Sequence, residues 1–432
     1  MLNSKVAKNA GWIIMCRIVQ SVLNLVVTMM MARMMGPSGY GLISYAASVV
    51  AFVAPLMKLG INAVLVQFLV KEPERDGEIV GTSCALCSVS ALLSMLGVSA
   101  FVAISTPGEP ETLIVCALYS LILIFQALEM VHYWFQAKLL SKYTSVTMLA
   151  AYFIVSVYKL VLLLTGCNIY WFAVAQAIDY AIIAVALFII YKKLGGGKLR
   201  FSWDMAKRLL SKSRYYIVSG LMVTVFAQTD KIMIKLMMGD AFTGYYSTAV
   251  ACAGMTGFVF TAIIDSARPS ILKAHGEDNA AFEKNVSRLY SIMIYLSLLQ
   301  SVFMTVFADL AIGILYGAEY AASVLPLRII VWYTTFSHLG PVRNIWILAE
   351  EKQKYLWIIN LSGALCNVAL NLAFIPAWGV EGAAAASLIT QIVANVVTGF
   401  VIRPIRRNNI LMLKALNPRL LIDLVKGELK KK

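Results

Sequence analysis

Charged residues are scarce in this chain. Only 14% of its 432 residues are Asp, Glu, Lys or Arg, and 60% are hydrophobic, whereas ordinary globular proteins are roughly 25% charged and 45–50% apolar. This shortage of charge excludes a water-soluble globular protein. Apolar runs of about 20 residues, each long enough to cross a hydrocarbon core of about 30 Å, recur from one end of the chain to the other. The composition predicts an all-α polytopic membrane protein.

The sequence also lacks the motifs of an enzyme or an ATP-driven pump. Its three histidines, His132, His275 and His338, have no H-x-x-x-H spacing, and neither a G-x-x-x-x-G-K-[ST] loop nor a G-x-S-x-G elbow occurs. Cys84 and Cys87 form a C-x-x-C, but no second pair completes a metal site. We therefore predict no catalytic residue, no metal, no cofactor and no disulfide framework.

The apolar runs and the breaks between them predict twelve transmembrane helices. The first run, beginning near Asn9, is too long for the core of a signal peptide and lacks a small-residue cleavage site, so we interpret it as a retained span. The predicted spans are 9–31, 41–70, 79–104, 112–135, 143–165, 169–191, 214–238, 244–267, 289–315, 323–347, 355–375 and 381–402.

The connections between these spans alternate in charge. One alternate set carries 28 of the 37 Lys and Arg residues, and the opposite set carries Arg33 alone. Because cationic loops stay on the cytoplasmic side, we expect both termini to be cytoplasmic. The basic residues of 192–213 and of the tail would lie against anionic lipid head groups. This position accounts for the net charge of +15 without nucleic-acid binding.

A motif that begins Met34-Met35-Gly36 returns 203 residues later as Met237-Met238-Gly239. In both copies a long apolar run precedes the motif and another follows it, which indicates two related halves. Six spans per half give both halves the same orientation, the parallel-repeat arrangement, with a substrate site expected in the cleft between them. The predicted organisation is an N-terminal lobe (1–195), a cytoplasmic linker (196–213), a C-terminal lobe (214–402) and a basic cytoplasmic tail (403–432).

Several charged and polar residues interrupt the apolar spans. A charge at mid-helix costs roughly 2.5–3.5 kcal/mol on insertion scales, so it is normally paired or faces water. A ladder of cations could hold an anion at successive depths, whereas pairing such as Asp179 with Lys159 would simply join helices; the sequence leaves both open. The candidates are the cations Arg17, Lys58, Lys159, Lys231 and Lys235, the stripe residues Asn24, Gln228 and Asn367, and the acids Asp179, Asp230 and Asp265.

Three stretches carry a resemblance to a known family: Ala32 to Pro37 with Tyr40-Gly41, Thr229 to Ile234, and Asn367 to Asn371 with Pro376 and Gly379. The chain resembles polysaccharide repeat-unit (O-antigen, Wzx-type) flippases of the multidrug, oligosaccharidyl-lipid and polysaccharide exporter superfamily. The resemblance implies two six-helix lobes in a MATE-like, V-shaped arrangement. It also implies that the protein carries undecaprenyl-pyrophosphate-linked oligosaccharide across the bacterial inner membrane by alternating access through a central cationic cavity.

By the same resemblance, the cations become candidate contacts for pyrophosphate or acidic sugars, and the three acids become candidates for coupling to sodium or protons. Drug-exporting relatives have a carboxylate in their first helix, where this chain has Arg17, which favours an anionic cargo. A polysaccharide polymerase and chain-length proteins are implied partners. The alternatives are a drug/cation antiporter of the same fold and a membrane enzyme of polysaccharide assembly.

Overall fold

The computed structural model describes residues 4–418, with side chains except those of residues 4–14, 17, 18, 219, 276 and 277. Helices account for almost all of this part of the chain. They are α1 Ser4–Met57, α2 Leu65–Lys71, α3 Asp76–Ser105, α4 Pro110–Ser120, α5 Ile122–Leu128, α6 His132–Ala137, α7 Ser141–Leu164, α8 Ile169–Lys193, α9 Trp203–Met238, α10 Asp240–Ala253, α11 Gly257–Glu277, α12 Asn279–Val306, α13 Ala308–Leu315, α14 Val324–Ser337, α15 Leu339–Ala349, α16 Leu356–Ile392, α17 Thr398–Val401 and α18 Arg406–Lys414. Short 3-10 segments and one π-helical turn, Val393–Val397, join several of them.

The predicted all-α membrane fold is confirmed. Within the described residues, 8 helices are long and apolar enough to cross a membrane, or 9 if the bent pair α10 and α11 forms one span. Large apolar side chains remain exposed along them, for example Leu93 at 65%, Leu96 at 68% and Ile104 at 81% on α3. Helices that are apolar both inside and outside are typical of membrane spans. The count of twelve spans stays a prediction.

The two copies of the repeated motif bend the chain in the same way. Gly36 has φ 68° inside α1, and Gly239 has φ 97° between α9 and α10. Such positive φ values are strained for residues with a Cβ, so glycine at this position lets one helix stop and the next begin at an angle. In the first copy, Pro37 follows the bend, where a helix tolerates a residue without an N–H.

The helix α9 begins earlier than the sequence predicts. Residues 203–213, expected to belong to the linker, form its first turns, and the Ser202 hydroxyl accepts a hydrogen bond from the Met205 amide to cap it. The predicted span 41–70 is divided instead, because α1 ends at Met57 and Leu59 and Gly60 adopt positive φ values of 50° and 64°. Its remainder forms a 3-10 turn and the short helix α2.

The chain forms two compact units, Met1–Gly244 and Tyr245–Lys432. The first has a core that includes Tyr45 and Phe135, and α9 packs along α1 within it. The second has its own core, which includes Tyr290 and Trp346. The lobe boundaries predicted from the repeat stay predictions.

Residues 196–202, here called the strap, run along the beginning of α3. The Arg200 amide donates to the Gly77 carbonyl at 3.3 Å, and the Ser202 amide donates to the Thr82 hydroxyl at 3.0 Å. The Gly197 amide donates to Asp76 Oδ1 at 3.2 Å. The segment predicted as a linker is therefore fixed to the first unit.

Candidate substrate and ion site

Four charged side chains of the first unit act on one another electrostatically. Lys58, directly after α1, interacts with Glu129, and Glu129 also interacts with Asp179 of α8. Asp179 in turn interacts with Lys159 of α7. The order along this series is cation, acid, acid, cation, and we call it the first-unit charge network.

Within this network Lys159 and Asp179 do not form a direct ion pair. The Lys159 amine donates to Gln176 Oε1 at 3.3 Å, so its bonded partner is neutral. Asp179 is 4% exposed, and its Oδ1 atom is buried without a hydrogen-bond partner. An unpaired buried carboxylate oxygen is unfavourable unless a proton or cation compensates it. The arrangement can bind a cation at Asp179 and leave the Lys159 charge available.

Asn24 borders the same network. The Tyr152 hydroxyl of α7 donates to Asn24 Oδ1 of α1 at 2.8 Å. Tyr152 also interacts electrostatically with Asp179. Asn24, Lys159 and Asp179 are therefore linked across α1, α7 and α8, and Lys58 is connected to them only through Glu129. Glu129 is not among the site residues selected from the sequence. The only feature of the sequence that could have indicated it is its position as a carboxylate inside an apolar run.

The helix α9 presents three more candidates on one face, because Gln228, Lys231 and Lys235 follow helical spacing. Gln228 and Lys231 are half-buried, and Asp230 beside them is 7% exposed. The Lys231 amine makes no hydrogen bond or ion pair within the described part of the chain, and the charge that acts on it is that of Asp230.

Lys235 has a different environment from Lys231. Its amine lies 2.6 Å from Glu109 Oε2 and 2.7 Å from Asp240 Oδ2. Two carboxylates therefore neutralise the charge of Lys235, which the sequence analysis predicted as a contact for an anion.

The remaining candidates lie in the second unit or outside the described residues. Asn367 is fully buried on α16 and accepts a hydrogen bond at 3.2 Å from Asn371, one turn later. Asp265 is exposed on α11 and lies 3.5 Å from Arg268. The side chain of Arg17 lies outside the described residues.

A separate cavity of about 390 Å³ opens at the bend of α1. It is lined by Met34, Met35, Glu111, Cys167 and Phe172, among others, and by none of the predicted site residues. In the described residues, no group of three or more His, Cys, Asp or Glu side chains could hold a metal ion.

Comparison with known proteins places the chain in a family. Residues 30–325 match the family model described as "Polysaccharide biosynthesis protein". The capsular polysaccharide biosynthesis protein CapF of Staphylococcus aureus is 20% identical over 401 residues, which cover 90% of this chain and 96% of CapF. The probable low-salt glycan biosynthesis flippase Agl15 of Haloferax volcanii is 21% identical over 220 residues, 50% of this chain and 47% of Agl15.

Solved structures show the same fold. The lipid II flippase MurJ in an inward closed conformation matches with a TM-score of 0.72 at 16% identity, covering 95% of this chain and 92% of MurJ. An inward-facing multidrug resistance MATE family transporter matches with a TM-score of 0.68 at 14% identity, covering 91% of this chain and 95% of that one. The resemblance noted from the sequence is confirmed: the chain belongs to the polysaccharide biosynthesis protein family, and it is a multi-pass membrane protein with the fold of MurJ and the MATE transporters.

Proposed function

We propose that this protein flips a lipid-linked oligosaccharide, an undecaprenyl-pyrophosphate-linked repeat unit, from the inner to the outer leaflet of the bacterial plasma membrane. The family match supports this proposal, and so do relatives named for capsular polysaccharide biosynthesis and for glycan flipping. The protein itself catalyses no bond-making step. A polysaccharide polymerase and chain-length proteins act on the cargo after release.

The observation that carries the proposal is the state of three lysines that lie in an apolar helix or directly after one. The Lys58 and Lys231 amines have no hydrogen-bond or ion-pair partner within the described residues, and that of Lys159 is bound to a neutral amide. A cation in a membrane-embedded segment costs free energy unless an opposite charge or water compensates it. A pyrophosphate or acidic sugar supplies that charge, so these lysines and Arg17 bind the cargo, with Asn24, Gln228 and Asn367 solvating its sugars.

Such transport needs no ATP. With the cytoplasm negative, moving two negative charges outward is favourable by about 4.6 kcal/mol per 100 mV, at roughly 2.3 kcal/mol per charge. A coupled sodium ion or proton can add to this driving force. Among the candidate coupling acids, Asp179 has the strongest support, because one of its oxygens is buried without a hydrogen-bond partner; Asp230 and Asp265 follow it.

The orientation follows from the basic loops, with both termini cytoplasmic. Around the strap, Phe201 is 46% and Trp203 is 72% exposed, beside the basic Lys198, Arg200 and Lys207. Aromatic rings with flanking cations are typical of membrane interfaces. We assign this surface to anionic lipid head groups of the inner leaflet.

One observation favours a second function, a drug/cation antiporter. Asp179 and Glu129 place two carboxylates in one network, and an organic cation could bind there. Substrate-dependent proton or sodium flux with an organic cation in proteoliposomes would support the antiporter, and its absence would support the flippase.

The decisive experiment uses a strain that lacks the protein and accumulates its lipid-linked repeat unit in the cytoplasmic leaflet. We expect wild type and Lys231→Arg to relieve the accumulation and Lys231→Ala to reduce flipping about tenfold or more, since a hydrogen bond to a charged group is worth about 1.5–3 kcal/mol. Lys284→Ala, which removes an exposed lysine of α12, is the matched control. Equal complementation by Lys231→Ala and Lys284→Ala at equal protein levels would contradict the site assignment. No accumulation in the deletion strain would contradict the function.

A further inference from the structure

Lys235 is the most enclosed of the predicted cations whose side chains the structure describes. Its side chain is 2% exposed, and its amine bonds to Glu109 and Asp240 at 2.6 and 2.7 Å. The two acids are more accessible, with side chains 47% and 27% exposed. Asp240 Oδ1 is buried without a hydrogen-bond partner. Lys235 therefore has more acceptors than it needs, and it would stay neutralised by Asp240 if Glu109 were lost.

The three groups come from separate parts of the chain. Glu109 lies in the connection between α3 and α4, Lys235 in the last turn of α9 and Asp240 in the first turn of α10. Because α3 begins at the strap, this connection lies at the end of the helix remote from the basic residues 192–213. The ion pair thus joins helix ends on the side where the loops are almost free of positive charge.

Beside it, the two copies of the repeated motif touch through their glycines. A Cβ on Gly41 would collide with the carbonyl oxygen of Asp240, and a Cβ on Gly244 would collide with that of Pro37. Since the copies are 203 residues apart, Pro37 corresponds to Asp240 and Gly41 to Gly244. The two contacts are therefore equivalent, and they bring the motifs together about a local twofold axis.

We infer that the bond between Lys235 and Glu109 is a latch that holds these helix ends together, and that it must break before cargo can leave at this face. The inference rests on the proposed function, because only a transporter needs the two motifs to separate. The ion pair suits a latch. The bond is short, and the lysine is shielded from water. Glu109 lies in an accessible loop, so its carboxylate can exchange the bond to Lys235 for bonds to water. Asp240 then still balances the positive charge of Lys235.

Cys116 provides a reporter for the latch. This thiol is fully buried on α4 and lies within the electrostatic reach of both Lys235 and Asp240. In purified full-length protein whose other cysteines are replaced, we expect Glu109→Gln to increase the rate of Cys116 labelling by a maleimide about tenfold, the factor that corresponds to about 1.4 kcal/mol. Glu111→Gln, an exposed acid two residues away, is the matched control and should label like wild type.

An unchanged labelling rate in Glu109→Gln, or an equal increase in both variants, would overturn the latch. A second test covers failure of the first variant to fold: a Glu109→Cys, Lys235→Cys pair should be cross-linked by oxidation, and the cross-link should arrest flipping until it is reduced. Undiminished flipping by the cross-linked protein would also overturn the inference. Labelling needs no cargo, so a positive labelling result with no flipping would refute the proposed function, while the bond between Lys235 and Glu109 would still be shown to hold these helix ends together.

Discussion

Trp134 donates its indole N–H to Asp76 Oδ2 at 2.7 Å, and both side chains are almost fully buried. The other oxygen of the same carboxylate accepts the Gly197 amide of the strap. One aspartate therefore joins α3, α6 and the strap. The beginning of α9 is thereby fixed to the first unit.

Replacing Asp76 should loosen the strap. We expect Asp76→Ala to lower the free energy of unfolding by about 1–3 kcal/mol, because it leaves a buried indole N–H and an amide without acceptors. Asp204→Ala, whose side chain is 70% exposed, should change it by less than about 1 kcal/mol. Thermal unfolding in detergent, followed by tryptophan fluorescence, measures both. Equal midpoints for the two variants would contradict this role.

The contact between Gly41 and Gly244 predicts a strong size restriction. A Cβ on Gly41 would lie 2.8 Å from the Gly244 amide nitrogen, closer than real Cβ contacts. We expect Gly41→Ala to destabilise the protein by about 1–3 kcal/mol, the usual cost of overpacking. Gly97→Ala, in α3 with no atom within 4 Å of the added Cβ, should stabilise it by up to about 1 kcal/mol. We therefore expect the unfolding midpoint of Gly41→Ala to lie below that of wild type and the midpoint of Gly97→Ala to lie above it.

Arg343 is a buried cation of the second unit, 5% exposed. Its guanidinium donates to the Ala394 carbonyl at 3.1 Å and to Asn395 Oδ1 at 2.9 Å, at the π-helical turn. Because a π-helical turn leaves carbonyls without their usual partners, Arg343→Ala should cost about 2–4 kcal/mol in unfolding free energy, from lost packing and unmet acceptors.

Arg328→Ala, which removes an arginine paired with an exposed acid, is the control for Arg343 and should cost less than about 1 kcal/mol. An Arg343→Ala variant as stable as Arg328→Ala would mean that the π-helical turn does not depend on the guanidinium.

The latch should depend on pH through Glu109. Hydrogen bonds from Lys235 and Thr112 lower the pKa of Glu109. A carboxyl group whose pKa is lower in the folded state stabilises that state at pH values above its unfolded pKa, about 4.3, and this contribution disappears as the pH falls through the folded pKa.

Wild type should therefore lose part of its stability advantage over Glu109→Gln below about pH 4.3. Unfolding midpoints of the two proteins, compared from neutral to acidic pH, test this. A constant difference between them across the whole range would contradict the predicted linkage.

The sequence determined the features that depend on short stretches of chain. Apolar length and loop charge predicted a polytopic helical protein, and the fold and family are confirmed. The register of the repeat could also be read from the sequence, because Gly36 and Gly239 occupy matching positions in the two copies. Both glycines have positive φ in the structure. Such features need no knowledge of which helices become neighbours.

Only the tertiary structure decided which charges are neutralised. Lys231 and Lys235 lie one turn apart on α9 and are equally good candidates in the sequence, yet Lys235 meets Glu109, 126 residues away, and Lys231 meets no such acid in the described residues. The reason is physical: an ion pair forms over a few ångströms, and the order of residues along a chain does not tell which helices pack closely enough to bring two charges within that distance.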